Sequence, residues 1–407
     1  MQPKETEEKL ISSIKTPEDL SLVILSGVNY DNFLIRGDVF KFISEYSSKY
    51  GSIPSSSIIS NEFPDFNFNN TNSEELKFFI DELQEQDVKR KTTKLILKTG
   101  EKLEKDENIY FIIDSLITKL SSIRKIPQFT MGYTDKDAMK RYDEYLDTKE
   151  KMSHGMIIGI RTGLSFFDDD LIGWQPGNLI AIIARMKVGK TWLGIYICCS
   201  AYLDNKRVLF ISPEMTKKEI DFRWDTTLSR FHGFQISNMK LIKAQIEEKV
   251  YKKWLEKASE RADWQTVCSD YGRPFTLNSI ESFVDQFRPD LVCFDGFLNL
   301  RPSSYSAEPD WQTRINLANG LKSIAQNKNV VFLATAQVNR KASGMPKPED
   351  LYGGDALAFS ADTMLAIEDN EEEPNSRYLS IALRRGGEVM NKKKKIHFNV
   401  DVGDIGI

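Results

Sequence analysis

Residues 178–196 read NLIAIIARMKVGKTWLGIY. The run Leu179-Ile180-Ala181-Ile182-Ile183 predicts a buried strand, and the pattern from Lys190 onward predicts a helix. Between them lies Ala184-Arg185-Met186-Lys187-Val188-Gly189-Lys190-Thr191, the phosphate-loop pattern GxxxxGK[ST] with Ala at the first glycine position. Backbone N–H groups of such a loop wrap a phosphate at the positive end of the following helix. The candidate nucleotide-binding residues are therefore Ala184, Arg185, Lys187, Val188, Gly189, Lys190, Thr191 and Trp192. Gly189 lets the backbone approach, Lys190 reaches the β- and γ-phosphates, and the Thr191 hydroxyl is placed to ligate Mg²⁺. A chance GKT in a strand–helix turn is the bland alternative.

Outside this stretch, 407 residues with 41% hydrophobic content suggest two or three domains with a sizeable core. The formal net charge is −4, so a nucleic-acid partner would need a local basic groove rather than an overall basic chain. Four cysteines, two adjacent at Cys198 and Cys199, fit packed thiols in a reducing cytosol better than a disulfide framework. His154, His232 and His397 lack metal-ligand spacing, so no zinc is expected. The polar start MQPKETEEKL gives no expectation of a signal peptide, and no window is apolar enough to span a membrane.

Taken in order, residues 1–125 read as a helical N-terminal domain. A helix rich in Val39, Phe40, Phe42 and Ile43 ends near Gly51, Ser52 to Ser73 reads as loop, and two long helices follow, from Glu75 to about Glu104 and from Ile109 to Ile123. Residues 126–157 form a linker region. Its charged helix, Asp135 to Met152, carries Met139, Tyr142, Leu146 and Lys149 on one stripe between Gly132 and Gly155. From Ile158 strands and helices alternate, the signature of an α/β domain with a mostly parallel sheet and helices on both faces. Arg207–Ile211, Leu291–Phe294, Val330–Thr335, Thr363–Glu368 and Tyr378–Leu383 read as strands. Lys217 to about Arg230, Met239 to Arg261 and Ile315–Asn327 read as helices.

Polar residues recur at the carboxyl ends of these apolar runs, where open α/β sheets bind ligands. Asp295 after LVCF suits a carboxylate that holds Mg²⁺ through water. Glu214 follows a strand expected beside the phosphate-loop strand; it can polarise the attacking water or serve as a helix N-terminal charge. Gln337 can sense the γ-phosphate by hydrogen bonding or be an ordinary surface amide. Arg384 and Arg385 precede Gly386-Gly387 and suit either a trans-acting phosphate contact or an exposed turn. Lys392–Lys395 reads as a solvated hairpin tip or a phosphate contact.

Together these residues resemble a replicative hexameric DNA helicase of the DnaB type, a phage or divergent member, with a RecA-like ATPase. ARMKVGKT is similar to the family's ARPSMGKT loop, SPEM to its SLEM motif, and FDGFLNL to its DYLQL segment. TAQVNR is similar to SQLNR, and RRGG to the RNG segment. The stretch from Thr162 to Gly177 follows the family's lead-in, and FLIRGDVFKFISEYSSKYGSIP is similar to its N-terminal collar. The resemblance implies Glu214 as catalytic base, Asp295 as metal carboxylate, Gln337 as γ-phosphate glutamine and Arg385, over Arg384, as arginine finger. It implies ATP and Mg²⁺ as cofactors. Its implied partners are single-stranded DNA, further copies of the chain in a hexameric ring, a primase and a helicase loader, in the cytoplasm (the host's, if phage-encoded). Where the family pattern is DLRESG this chain has Asp350-Leu351-Tyr352-Gly353-Gly354-Asp355, so the candidate DNA contacts are Lys341, Tyr352, Gly353 and Gly354.

The implied activity is ATP-driven 5′-to-3′ translocation on single-stranded DNA with duplex unwinding. A RecA-type recombinase or regulatory ATPase, or a loader or scaffold that does not unwind, remain the alternatives; closed rings, filaments or single subunits on imaging separate them.

Overall fold

A computed structural model describes residues 2–69, 76–104, 109–124, 134, 138–154, 158–171, 173–269, 274–302, 310–339, 344–352, 356–385 and 393–406. The chain divides into two compact units, Met1–Tyr142 and Asp143–Ile407.

The first unit is helical: α1 Pro3–Ser13, α2 Pro17–Leu25, α3 Gly37–Tyr50, α4 Ser56–Glu62, α5 Leu76–Leu103 and α6 Ile109–Arg124. Its core packs Leu10, Val23, Val39, Phe40 and Ile43 against Leu76, Phe79, Ile80 and Leu83. Gly51 stops α3 in the left-handed conformation. The helix α4 lies inside the stretch expected to be loop; Ile59 supplies the buried contact that a Ser- and Asn-rich composition masks. α7, Ala138–Ser153, straddles the division between units and has no buried residue, and its stripe of Met139, Tyr142 and Leu146 is exposed.

The second unit is built on the predicted strand. β1 (Leu179–Ala184) is buried along its whole length. Ile180 and Ile182 join one core while Leu179, Ala181 and Ile183 join the other, as period-two alternation requires of a strand covered on both faces. In chain order follow β2 Val208–Ser212, β3 Trp264–Cys268, β4 Phe275–Thr276, β5 Leu291–Phe294, β6 Leu300–Arg301, β7 Val331–Gln337, β8 Thr363–Asp369, β9 Ser376–Arg384, β10 Lys394–Asn399 and β11 Asp404–Gly406. The main sheet has the order β11-β10-β9-β8-β1-β7-β5-β2-β3, and β4 pairs with β6 apart from it. From β8 to β3 all neighbours are parallel; β9, β10 and β11 are antiparallel additions at one side.

The helices of this unit are α8 Ser165–Leu171, α9 Lys190–Leu203, α10 Lys217–Phe231, α11 Asn238–Ile242, α12 Glu248–Ala258, α13 Leu277–Phe287, α14 Trp311–Lys328 and α15 Ala356–Ser360. α9 and α10 contribute to the core on one face of the sheet; α13, α14 and α15 contribute to the core on the other. Three expectations are corrected. The single helix from Met239 to Arg261 is two helices, broken where Ala244 takes a left-handed φ of 53°. α14 starts four residues before Ile315, because the Asp310 side chain caps it by accepting from Thr313 N–H. Lys394 and Lys395 are not a hairpin tip; they open β10, and Lys395 pairs with Glu373.

Asp225 ties α12 to α10, accepting from Trp254 Nε1 at 2.6 Å and Tyr251 Oη at 2.8 Å. Burial pushes its carboxyl up to about 6 from an ordinary 3.8, against those two hydrogen bonds. A carboxyl whose folded value is raised favours folding while protonated, and that contribution is lost as pH rises from about 4 through 6. Asp225→Asn cannot titrate. Its stability relative to wild type should therefore improve by about 2 kcal/mol between pH 4 and pH 7. Denaturant unfolding of both proteins across that range checks this; a difference independent of pH would refute it.

Candidate nucleotide site

The phosphate loop leaves β1 at Ala184, which is wholly buried and whose carbonyl accepts from Val338 N–H at 3.0 Å. Gly189 turns the chain into α9 with φ +117°. A Cβ at Gly189 would lie 2.4 Å from the Phe398 ring, so both conformation and space require glycine there. Arg377 braces the loop from β9: its Nε donates to Val188 O at 3.0 Å, it pairs with Asp369 at 3.1 Å, and its guanidinium lies 5.2 Å from the Phe398 ring centroid.

Beside the loop is a cavity of about 410 Å³ at the carboxyl ends of β1, β2, β5 and β7. Lys187, Gly189, Lys190, Thr191 and Trp192 line it from the loop and α9. Glu214 lines it after β2, Asp295 after β5, and Gln337 from the last position of β7. Ala184, Arg185 and Val188 do not line it; the Arg185 carbonyl accepts from Lys190 Nζ at 3.4 Å.

One placement differs from expectation. β2 is not beside β1, because β7 and β5 stand between them. The crossover through α9 passes over two positions that later strands fill. Glu214 therefore faces the loop from across the cavity and not from the adjacent strand.

Asp295 is 2% exposed. Its carboxylate accepts from Thr191 Oγ1 at 2.9 and 3.1 Å and from Thr335 Oγ1 at 2.9 Å. Burial raises its pKa, against the hydrogen bonds from Thr335 and Thr191. Burial lowers that of Lys190, against the pull of Asp295 and Glu214. A half-buried cation facing two carboxylates, with hydroxyls between, suits a polyanion that brings its own counter-ion. Thr191 and Asp295 are hard oxygen donors within hydrogen-bond distance of each other, and they fit Mg²⁺, which takes one or two protein ligands and completes its shell with water and phosphate. No cage of three or more His, Cys, Asp or Glu occurs among the described residues, so an all-protein metal site is not what they offer.

Sequence reasoning missed Arg223. It lines the cavity, with its guanidinium 5.0 Å from the Trp192 ring centroid, and burial lowers its pKa against Asp295 and Glu219. The available signal was helical spacing: Ile220, Arg223 and Thr227 share one stripe of α10, and Ile220 and Thr227 are buried. An arginine on an apolar stripe points to a site.

Arg384 and Arg385 do not line this cavity. Arg384 pairs with Thr363, at the start of β8, and Arg385 N–H donates to Asp362 O. Tyr352 is 58% exposed, and its N–H donates at 2.9 Å to the carbonyl of Gln337, a cavity residue. Lys341, Gly353, Gly354, Gly386, Gly387, Lys392 and the linker glycines Gly132 and Gly155 lie outside the described residues.

Residues 159–403 match the model of the DnaB-like helicase C terminal domain. The chain belongs to the DnaB-like helicase family. It is 26% identical over 306 residues to a probable plasmid replicative DNA helicase of Chlamydia trachomatis serovar L2, covering 72% of this chain and 65% of that one. It is 27% identical over 288 residues to the replicative DNA helicase DnaB of Mycoplasma genitalium, covering 64% and 60%. The chain thus spans under two thirds of the length of these curated relatives. Its fold matches the solved structure of a DnaB-like replicative helicase described with its primase interactions, with a TM-score of 0.61 and 19% identity over 99% of both chains. It also matches a second solved structure, that of an isolated ATPase domain, with a TM-score of 0.59 and 21% identity, over 68% of this chain and 99% of that one. Both likenesses are of fold: in the second unit, a mostly parallel sheet with helices contributing to a core on each face. None of the described helices is long and apolar enough to cross a membrane.

Proposed function

We propose that this chain is a replicative DNA helicase that couples ATP hydrolysis to 5′-to-3′ movement on single-stranded DNA and unwinds duplex ahead of it. The observation that carries the proposal is the convergence of Lys190, Thr191, Glu214, Asp295 and Gln337 on one cavity within a DnaB-like domain. Lys190 binds the β- and γ-phosphates together with the loop N–H groups. Thr191 and Asp295 hold Mg²⁺, which when bound neutralises phosphate charge. Glu214 takes a proton from the attacking water, and Gln337 hydrogen-bonds the γ-phosphate. Gln337 also accepts from the backbone of Tyr352, which supports a link between nucleotide state and the candidate DNA segment that includes Lys341, Gly353 and Gly354.

In the same reading the helical module of residues 1–125 is the collar that meets primase. The linker helix docks its exposed stripe on assembly. The subunits form a hexameric ring that a loader places on DNA, and Arg385 completes a neighbouring subunit's site.

The test is ATP hydrolysis with and without single-stranded DNA, followed by unwinding of forked DNA. Strong stimulation by DNA, with unwinding of a fork bearing a 5′ tail, is expected. Hydrolysis indifferent to DNA would move the assignment to a regulatory ATPase or scaffold.

A further inference from the structure

We infer that Asn299 is the positioning residue for Glu214, fixing the direction in which that carboxylate faces the nucleotide cavity. The inference rests on the assignment of Glu214 as base. Asn299 Nδ2 donates to Glu214 Oε1 at 2.7 Å, joining side chains 85 residues apart in the chain. Glu214 stands exposed in the connection between β2 and α10. An exposed glutamate samples several staggered rotamers, and catalysis needs one of them.

Asn299 is held on firm backbone. It ends the turn Phe297–Asn299, which follows Asp295-Gly296 directly, and its own N–H donates to Gly296 O at 2.9 Å. Phe297 is 4% exposed and Leu300 is fully buried, so the turn is anchored in the core on both sides. Gly296 makes the pairing possible. Its φ is +124°, and a Cβ there would stand 2.9 Å from both Asn299 Nδ2 and Glu214 Oε1. The two side chains meet over the one residue type that leaves room for them.

The chemistry follows from which atom is used. The amide N–H occupies Oε1 and leaves Oε2 to accept a proton from water. An amide does not titrate near neutral pH, so it orients the base without competing for the proton. This is the pattern of a base that is itself oriented by a third group.

The test uses the full chain, with steady-state ATP hydrolysis, nucleotide affinity and thermal unfolding measured together. Asn299→Ala should lower kcat about 10–100-fold, the scale of a base misplaced by an ångström or so, with KM and Tm near wild type. Asn299→Asp keeps the volume but sets a carboxylate against Glu214, and should lose more. In a Glu214→Gln background, Asn299→Ala should cost nothing further in single turnover. Wild-type kcat in both Asn299 variants, with Glu214→Gln inactive, would overturn the positioning role and leave the base assignment standing. Loss of kcat accompanied by a raised KM and a lowered Tm would make Asn299 merely structural and also overturn it. Wild-type turnover in Glu214→Gln would remove the base assignment and this inference with it.

Discussion

Glu214→Gln should lower kcat for ATP hydrolysis by about 10²–10⁴-fold while leaving nucleotide affinity close to wild type. The substitution keeps size and shape and removes only the ability to take a proton. The glutamine carbonyl can still accept from Asn299, so the side chain stays aimed at the cavity. In the proposed function phosphate binding falls elsewhere, to Lys190, the loop N–H groups and the Thr191–Asp295 pair, which share the cavity with Glu214. The effect therefore belongs in kcat and not in KM. Single-turnover hydrolysis with a separate titration of a fluorescent nucleotide separates the two. A rate within about threefold of wild type would place the base elsewhere, because a general base contributes far more than that.

The parts of this site that could be read from sequence are those governed by local chemistry. A strand buried on both faces has to be an apolar run, and a phosphate-binding turn has to follow it with glycine, lysine and a hydroxyl. Asp295 and Gln337 are visible because each ends an apolar run. What could not be read is non-local. Nothing in RVLFI says that two strands from later in the chain separate it from β1, so sequence alone puts Glu214 after the wrong neighbour of β1. β3, WQTVC, is half-buried throughout and has no apolar run to announce it. β10 alternates, with Ile396 and Phe398 inward, but the exposed Lys394 and Lys395 that open it hide the alternation. The break after α11 carries no glycine or proline; Ala244 adopts the turn conformation that those residues usually signal. Arg223, Arg377 and Asn299 reach the site across elements, so their roles exist only once the sheet is assembled.

The position of Arg385 leads to the second large effect. β9 runs antiparallel to β8, so its two ends serve opposite edges of the sheet. Arg377 lies opposite Asp369 at the phosphate-loop edge and touches the loop itself. Arg384 lies opposite Thr363, which also stands opposite Ile180 of β1. From Ile180 to the start of the loop at Ala184 is four residues of strand, ~13 Å. Arg385 is one residue further from the loop in the same direction, and so it is poorly placed to serve its own subunit's phosphates. As a finger it must act on a neighbour. Arg385→Ala should then lower kcat by about 10³-fold or more with nucleotide binding intact, while Arg384→Ala should cost far less. The decisive measurement mixes two inactive proteins, Arg385→Ala and Lys190→Ala. A Lys190→Ala subunit still carries Arg385 and can present it to the intact phosphate loop of an Arg385→Ala neighbour. Mixed assemblies should regain hydrolysis that neither protein shows alone. A mixture that stays inactive, although the two proteins co-assemble, would tie the arginine to its own subunit's cycle. Full activity in Arg385→Ala would remove it from the reaction altogether.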